Sequence, residues 1–166
     1  MRKGAVLTDI ASVKSGITAC ADSVEGLNFV GSHPMAGTEK SGYKAGFAGL
    51  FNNADVFIVP GKYATEDGIA LTEEFWSSLN AFCRRITAAE HDKLVAHTSH
   101  MLHIIASALT RSILDRTDAR EQSLNNYGCA TGFRDTSRIA SSSPAMWREI
   151  CMENVSAILP ALDEEN

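Results

Sequence analysis

The stretch VGSHPMAGTE, Val30–Glu39, decides how the first third of the chain is read. A proline directly after His33 disfavours helical geometry for that histidine and pushes it towards extended backbone. The imidazole is therefore expected at the end of a strand, where a rigid scaffold presents functional side chains. Two further apolar runs of strand length flank it, GAVLTDI before and ADVFIVP after, each bounded by Gly, Asp, Asn or Pro. Between the first run and LNFVGS, the segment SVKSGITACADS suits a short helix, so the opening reads as strand, helix, strand.

The texture changes at about Thr65. In LTEEFWSSLNAFCRR, Leu71, Phe75, Leu79 and Phe82 recur at helical spacing and predict an amphipathic helix. The following stretch carries Leu94, Val95, Leu102, Ile105, Leu109 and Ile113 with no proline, which predicts a second, long and largely buried helix. From Gly128 the chain is first Gly/Ser-rich and polar, then helical after Pro144, a residue suited to a first helical turn. Neither an internal repeat nor a low-complexity tract occurs.

Composition narrows the function classes. A chain of 166 residues fits one domain, or the remnant of one fused to a second. Its 45% hydrophobic content supports a core, and its net charge of -5 argues against nucleic acid or an anionic membrane as the main partner. The four cysteines are widely spaced, which is neither a zinc pattern nor a disulfide scaffold. The opening apolar run is too short for a signal peptide or a span, so a soluble cytoplasmic protein is expected.

Several polar residues invite chemistry, each beside a plainer reading. His33 is a candidate base, or a strand-end histidine with no such role. Ser12 reads as a helix cap, and Arg138 as a solvated arginine or a fork for a carboxylate. Trp147 is core or pocket wall. His97, His100 and His103 recur every third residue, and with the pair His91 and Asp92 they suggest a metal-dependent hydrolase, although no further converging ligands are evident. No G-x-G-x-x-G occurs, so the nucleotide-cradling turn of a doubly wound sheet is absent from these residues.

Four segments, in order and across nearly the whole chain, carry a family resemblance: TDIASVK (8–14), GSHPMAGTEKSG (31–42), HDKLVAHTSHMLH (91–103) and GFRDTSRIASSSPAMWREI (132–150). Together the chain resembles the prephenate and arogenate dehydrogenases. The resemblance implies an α/β remnant, the last strands of a Rossmann-type sheet over residues 1–62, followed by a mainly α-helical substrate and dimerisation domain over 65–166. It further implies oxidative decarboxylation of prephenate or arogenate with NAD or NADP, in tyrosine biosynthesis and as a homodimer. By position it makes His33 the base and Ser12 its helper at the substrate hydroxyl. Arg138, His100, His103 and Trp147 become substrate-binding residues, with Glu39 and Asp135 in a polar, gating network. Leu102 stands where the family commonly has proline, which predicts a straighter helix before His103. Lacking the Gly-rich loop, the chain by itself is expected to be inactive, and a non-catalytic dimerisation remnant is the alternative.

Overall fold

The computed structural model describes residues 4–37, 42, 44, 46–115 and 118–164. They fall into two compact units that divide between Leu94 and Val95. The first is α/β and the second is helical.

In the first unit, helix α1 (Ser15–Asp22) precedes strands β1 (Val30–Pro34) and β2 (Asp55–Pro60). Helix α2 (Glu66–Ser78), strand β3 (Phe82–Arg85) and helix α3 (Ala88–Val95) follow. The sheet order is β1-β2-β3, with β1 and β2 antiparallel and β2 and β3 parallel. The register sets His33 opposite Phe57. The expected first strand reduces to one parallel bridge, Leu7 with Phe29, closed by Leu7 N–H to Asn28 O and Val30 N–H to Leu7 O, both 2.9 Å. Beyond Leu7 the backbone turns away, because the Asp9 carboxylate is held by the N–H groups of Ala11 (2.9 Å) and Ser32 (3.2 Å).

Helix α2 begins where Thr65 accepts a hydrogen bond from Gly68 N–H, with Glu66 and Asp67 in the first turn, where acids favour the helix dipole. Its buried face is Ile69, Thr72 and Trp76, packed on Val30, Val56 and Ile58 of the sheet. This differs from the expected face: Leu71 and Phe75 are exposed, and Phe82 lies in β3 rather than in the helix. Asn80, at positive φ, ends the helical course, and β3 then pairs with β2. Thus α2 and β3 belong to the sheet unit: the last strand ends at Arg85, the described elements from Ala88 onward are all helical, and the two units divide after Leu94 rather than near 65.

The second unit opens with a π-helical turn, Ala96–His100, continued by α4 (Met101–Leu114). Helices α5 (Ala119–Gly128), α6 (Thr131–Ala140), α7 (Pro144–Glu153) and α8 (Val155–Asp163) complete it. Pro144 does open a helix. The polar segment before it is already helical as α6, which packs on α4. The core gathers Ala96, Met101, Ile158 and Ala161. The π turn replaces the straight helix expected from Leu102: the irregularity sits just before Met101, and the wider turn buries Ala96 and His100. Among the described residues no helix is long and apolar enough to cross a membrane.

Candidate active site

Among the described residues two clusters of polar side chains are buried, one in each unit. In the first, the sequence T-A-A-E (87–90) forms a reciprocal cap: Thr87 N–H donates to Glu90 Oε2 (3.1 Å) and Glu90 N–H to Thr87 Oγ1 (3.2 Å). This capping box fixes the start of α3 and with it the register of the next two residues, His91 and Asp92. Both are buried.

Asp92 reaches across to α1, a helix whose own N-cap residue, Lys14, makes no side-chain cap. Its Oδ1 accepts from Lys14 N–H and its Oδ2 from Ser15 N–H, each at 2.8 Å. These are orphan donors of a helix N-terminus, where a carboxylate is doubly favourable. Burial pushes the Asp92 carboxyl up, but hydrogen bonds from His91, the Ser15 hydroxyl and the Lys14 and Ser15 backbone overcome it and bring it down to about 2. Asp92 is therefore ionised at neutral pH. Its Oδ1 also lies 2.8 Å from His91 Nδ1, and His91 Nε2 lies 2.8 Å from His33 Nδ1. A carboxylate, an imidazole and a second imidazole form one chain ending at the penultimate residue of β1. The His91 ring meets Phe57 edge-on, with centroids 5.6 Å apart.

Beneath this chain lies a buried cation. Lys14 is fully buried and donates to Asp9 Oδ2 (2.6 Å) and Ser32 O (2.7 Å). Burial pushes its ammonium below the usual lysine range, and Asp9 and Asp92 oppose that shift. Ser32 Oγ accepts from Trp76 Nε1 and sits 3.0 Å from Thr8 Oγ1. Ser32, the residue directly before His33, is thus locked by Lys14, Trp76 and Thr8. Ser12 sits in a bend, half-buried, and does not cap α1, a task that falls to Asp92.

In the second unit, His100 is buried and accepts from Asn154 Nδ2 at 3.0 Å. His103 stacks parallel on Trp147 with centroids 3.6 Å apart, while His100 meets the same indole edge-on at 5.8 Å. Of the three histidines of the suspected metal motif, His100 and His103 thus meet one indole, whereas His97 lies 4.0 Å from Glu164. Burial pushes the His103 imidazole down, against the Ile139 carbonyl. The indole N–H of Trp147 is buried with no hydrogen-bond partner among the described residues, the condition a ligand oxygen would relieve. Arg138 and Asp135 are exposed, three residues apart on α6. Glu39 lies outside the described residues.

The stack gives a direct test. Protonation of His103 should quench Trp147 emission, with a midpoint below the ordinary histidine value of 6.5, and His103→Gln should abolish the transition. A midpoint at or above that value, in a fluorescence titration, would contradict the assigned environment.

Among the cluster residues that the sequence reading did not reach are Lys14, Asp92 as a cap, and Asn154. The capping box at 87–90 was the available signal for the second, since it starts a helix with His91 and Asp92 in its second turn.

The protein thus joins two unlike units, an α/β unit with a carboxylate–imidazole chain and a helical unit with a His–Trp stack. Comparison with known proteins gives the family. A model described as prephenate dehydrogenase, nucleotide-binding domain, matches residues 1–84, and one described as prephenate dehydrogenase, dimerization domain, matches residues 87–165. The chain belongs to the prephenate dehydrogenase family. It is 35% identical over 164 residues to cyclohexadienyl dehydrogenase of Zymomonas mobilis, covering 98% of this chain and 56% of the relative. It is 37% identical over 163 residues to prephenate dehydrogenase of Bacillus subtilis, covering 96% and 43%. The chain therefore spans about half the length of these curated relatives. Among solved structures it is similar to prephenate dehydrogenase of Aquifex aeolicus in complex with hydroxyphenyl propionate and NAD+, with TM-score 0.88, 29% identity, and coverage of 99% of this chain and 57% of that one. Arogenate dehydrogenase of Synechocystis gives TM-score 0.82 at 30% identity, covering 97% and 58%.

Proposed function

We propose that this chain supplies the proton-accepting and carboxylate-binding groups of an NAD(P)-dependent dehydrogenase that oxidatively decarboxylates prephenate or arogenate. The observation that carries the reading is His33, held at the end of β1 by a 2.8 Å hydrogen bond between its inner nitrogen and a buried imidazole. Such a histidine suits a base that must take a ring-hydroxyl proton with little positional error. Ser12 hydrogen-bonds the same hydroxyl or orients the imidazole. Arg138 meets a substrate carboxylate through its guanidinium fork. His100, His103 and Trp147 contact the substrate side chain, and Glu39 and Asp135 shape the polar surroundings.

The oxidation needs a hydride acceptor, which is what a nicotinamide supplies when bound. Dinucleotide pyrophosphates are held by a Gly-rich turn and a helix N-terminus. The first N–H groups of α1 are already bonded to Asp92, and no G-x-G-x-x-G occurs in the 166 residues. The described residues do not fit a pyrophosphate, so NAD or NADP has to be held elsewhere. The 166-residue polypeptide alone is expected to bind neither in titration calorimetry. Fused behind the nucleotide-binding segment of a relative, it is expected to produce reduced nucleotide from prephenate or arogenate. A folded fusion that binds nucleotide yet turns over neither acid would sink the proposal.

The helical unit forms a homodimer in this reading. Leu102, Leu109, Leu124, Tyr127, Met152 and Leu159 are large, apolar and exposed, a composition that suits an interface. Obligate interfaces of this kind bury about 2,000 Å² or more. Sedimentation at micromolar concentration should show a dimer, and monomer alone would reject it.

A further inference from the structure

We propose that His91 and Asp92 are positioning residues that fix His33 as the Nδ1–H tautomer and thereby put its lone pair on Nε2. This rests on the reading of His33 as the base.

The hydrogen-bond directions follow from one end of the chain. Asp92 accepts from two backbone N–H groups and is ionised, so it can only accept from His91 as well. His91 Nδ1 is therefore the protonated nitrogen. In a neutral imidazole the other nitrogen is then the acceptor, so His91 Nε2 receives a hydrogen bond across the 2.8 Å to His33 Nδ1. His33 must donate there, which leaves Nε2 as its basic atom. The reverse arrangement, with His91 donating at both nitrogens, requires one more proton than two neutral imidazoles hold.

Rigidity makes the arrangement decisive. His91 is fully buried, edge-on to Phe57, and follows a capping box that fixes the start of its helix. Asp92 is tied to the backbone of α1. The logic is that of a base oriented by a third group, with an imidazole interposed between base and carboxylate.

The chain also provides for the proton. When Nε2 of His33 takes a proton from a hydroxyl, the His33 Nδ1 proton passes to His91 Nε2. His33 returns to neutral, now carrying its proton on Nε2, and the positive charge rests on His91 beside the Asp92 carboxylate. One proton enters and one charge moves inward, while Asp92 stays ionised.

The test is the tautomer itself, read by long-range 1H–15N correlation on the 166-residue chain with 15N-labelled histidine in mildly alkaline buffer, where imidazoles are neutral. Five histidines give few enough signals to assign by single substitutions. His33 and His91 should each show a protonated Nδ1 and an unprotonated Nε2. In His91→Phe, which keeps a ring in the buried site but offers no acceptor, His33 should shift towards the Nε2–H form that free histidine favours. A wild-type His33 protonated mainly at Nε2 would overturn the proposal, and so would a His33 that stays Nδ1–H in His91→Phe. Should His91→Phe fail to fold, the wild-type spectrum still decides. Because the readout is independent of turnover, a wrong tautomer rejects the relay alone, and a turnover failure of the fusion rejects the dehydrogenase reading alone.

Discussion

His33→Asn, in a polypeptide completed with a nucleotide-binding segment, is expected to lower turnover by about 100- to 10,000-fold, the usual contribution of a general base. The effect should fall on kcat with little change in KM, because the base acts as the proton departs rather than as substrate binds. Asparagine can still offer a polar group near His91, so the loss isolates proton acceptance rather than packing. Arg138→Ala should behave oppositely and raise KM most, since a guanidinium fork holds a carboxylate in ground state and transition state alike. Steady-state kinetics on both variants checks the division. If the two share one pattern, the roles given to His33 and Arg138 are wrong.

Asp92→Ala should destabilise the α/β unit by about 2–4 kcal/mol, from a lost helix cap and buried donors left unsatisfied on Lys14 and His91. The two tryptophans make this measurable, because Trp76 lies in the first unit and Trp147 in the second. In a Trp147→Phe background, urea unfolding followed by Trp76 emission reports the first unit only. A change below about 1 kcal/mol would mean that the carboxylate is no structural tie. Acid should attack the same point. The carboxyl is held at about 2 against an ordinary 3.8, so its stabilisation is complete above the ordinary value and fades as pH falls through about 2.

Local patterns were legible in the sequence wherever local physics decides them. Pro34 announced the extended geometry of His33, Pro144 the start of α7, and the small-residue segment after Val13 the short helix α1. What failed depended on distant partners. Leu71, Phe75 and Phe82 share a plausible helical stripe, but the sheet takes the Ile69–Thr72–Trp76 stripe instead, and β2 recruits Phe82 as a strand residue. Leu7 had a strand's composition and obtained a single bridge, because Asp9 finds a donor 23 residues away on Ser32 as well as on nearby Lys14. The histidines show the same limit. As an adjacent His-Asp pair, His91 and Asp92 suggested metal ligands, whereas their partners, His33 and the start of α1, lie 58 and 78 residues away along the chain.

The carboxylate of Asp92 is pleiotropic. Its two oxygens close a helix end and also orient an imidazole, so no substitution perturbs one task without the other. Glutamate would push the carboxylate one methylene too far, and asparagine would turn an N–H donor towards another donor. A mutational scan scored by abundance would file position 92 under folding and stop there. Any chemistry it supports would be hidden behind the loss of protein, and separating the two requires an observable carried by His33 itself.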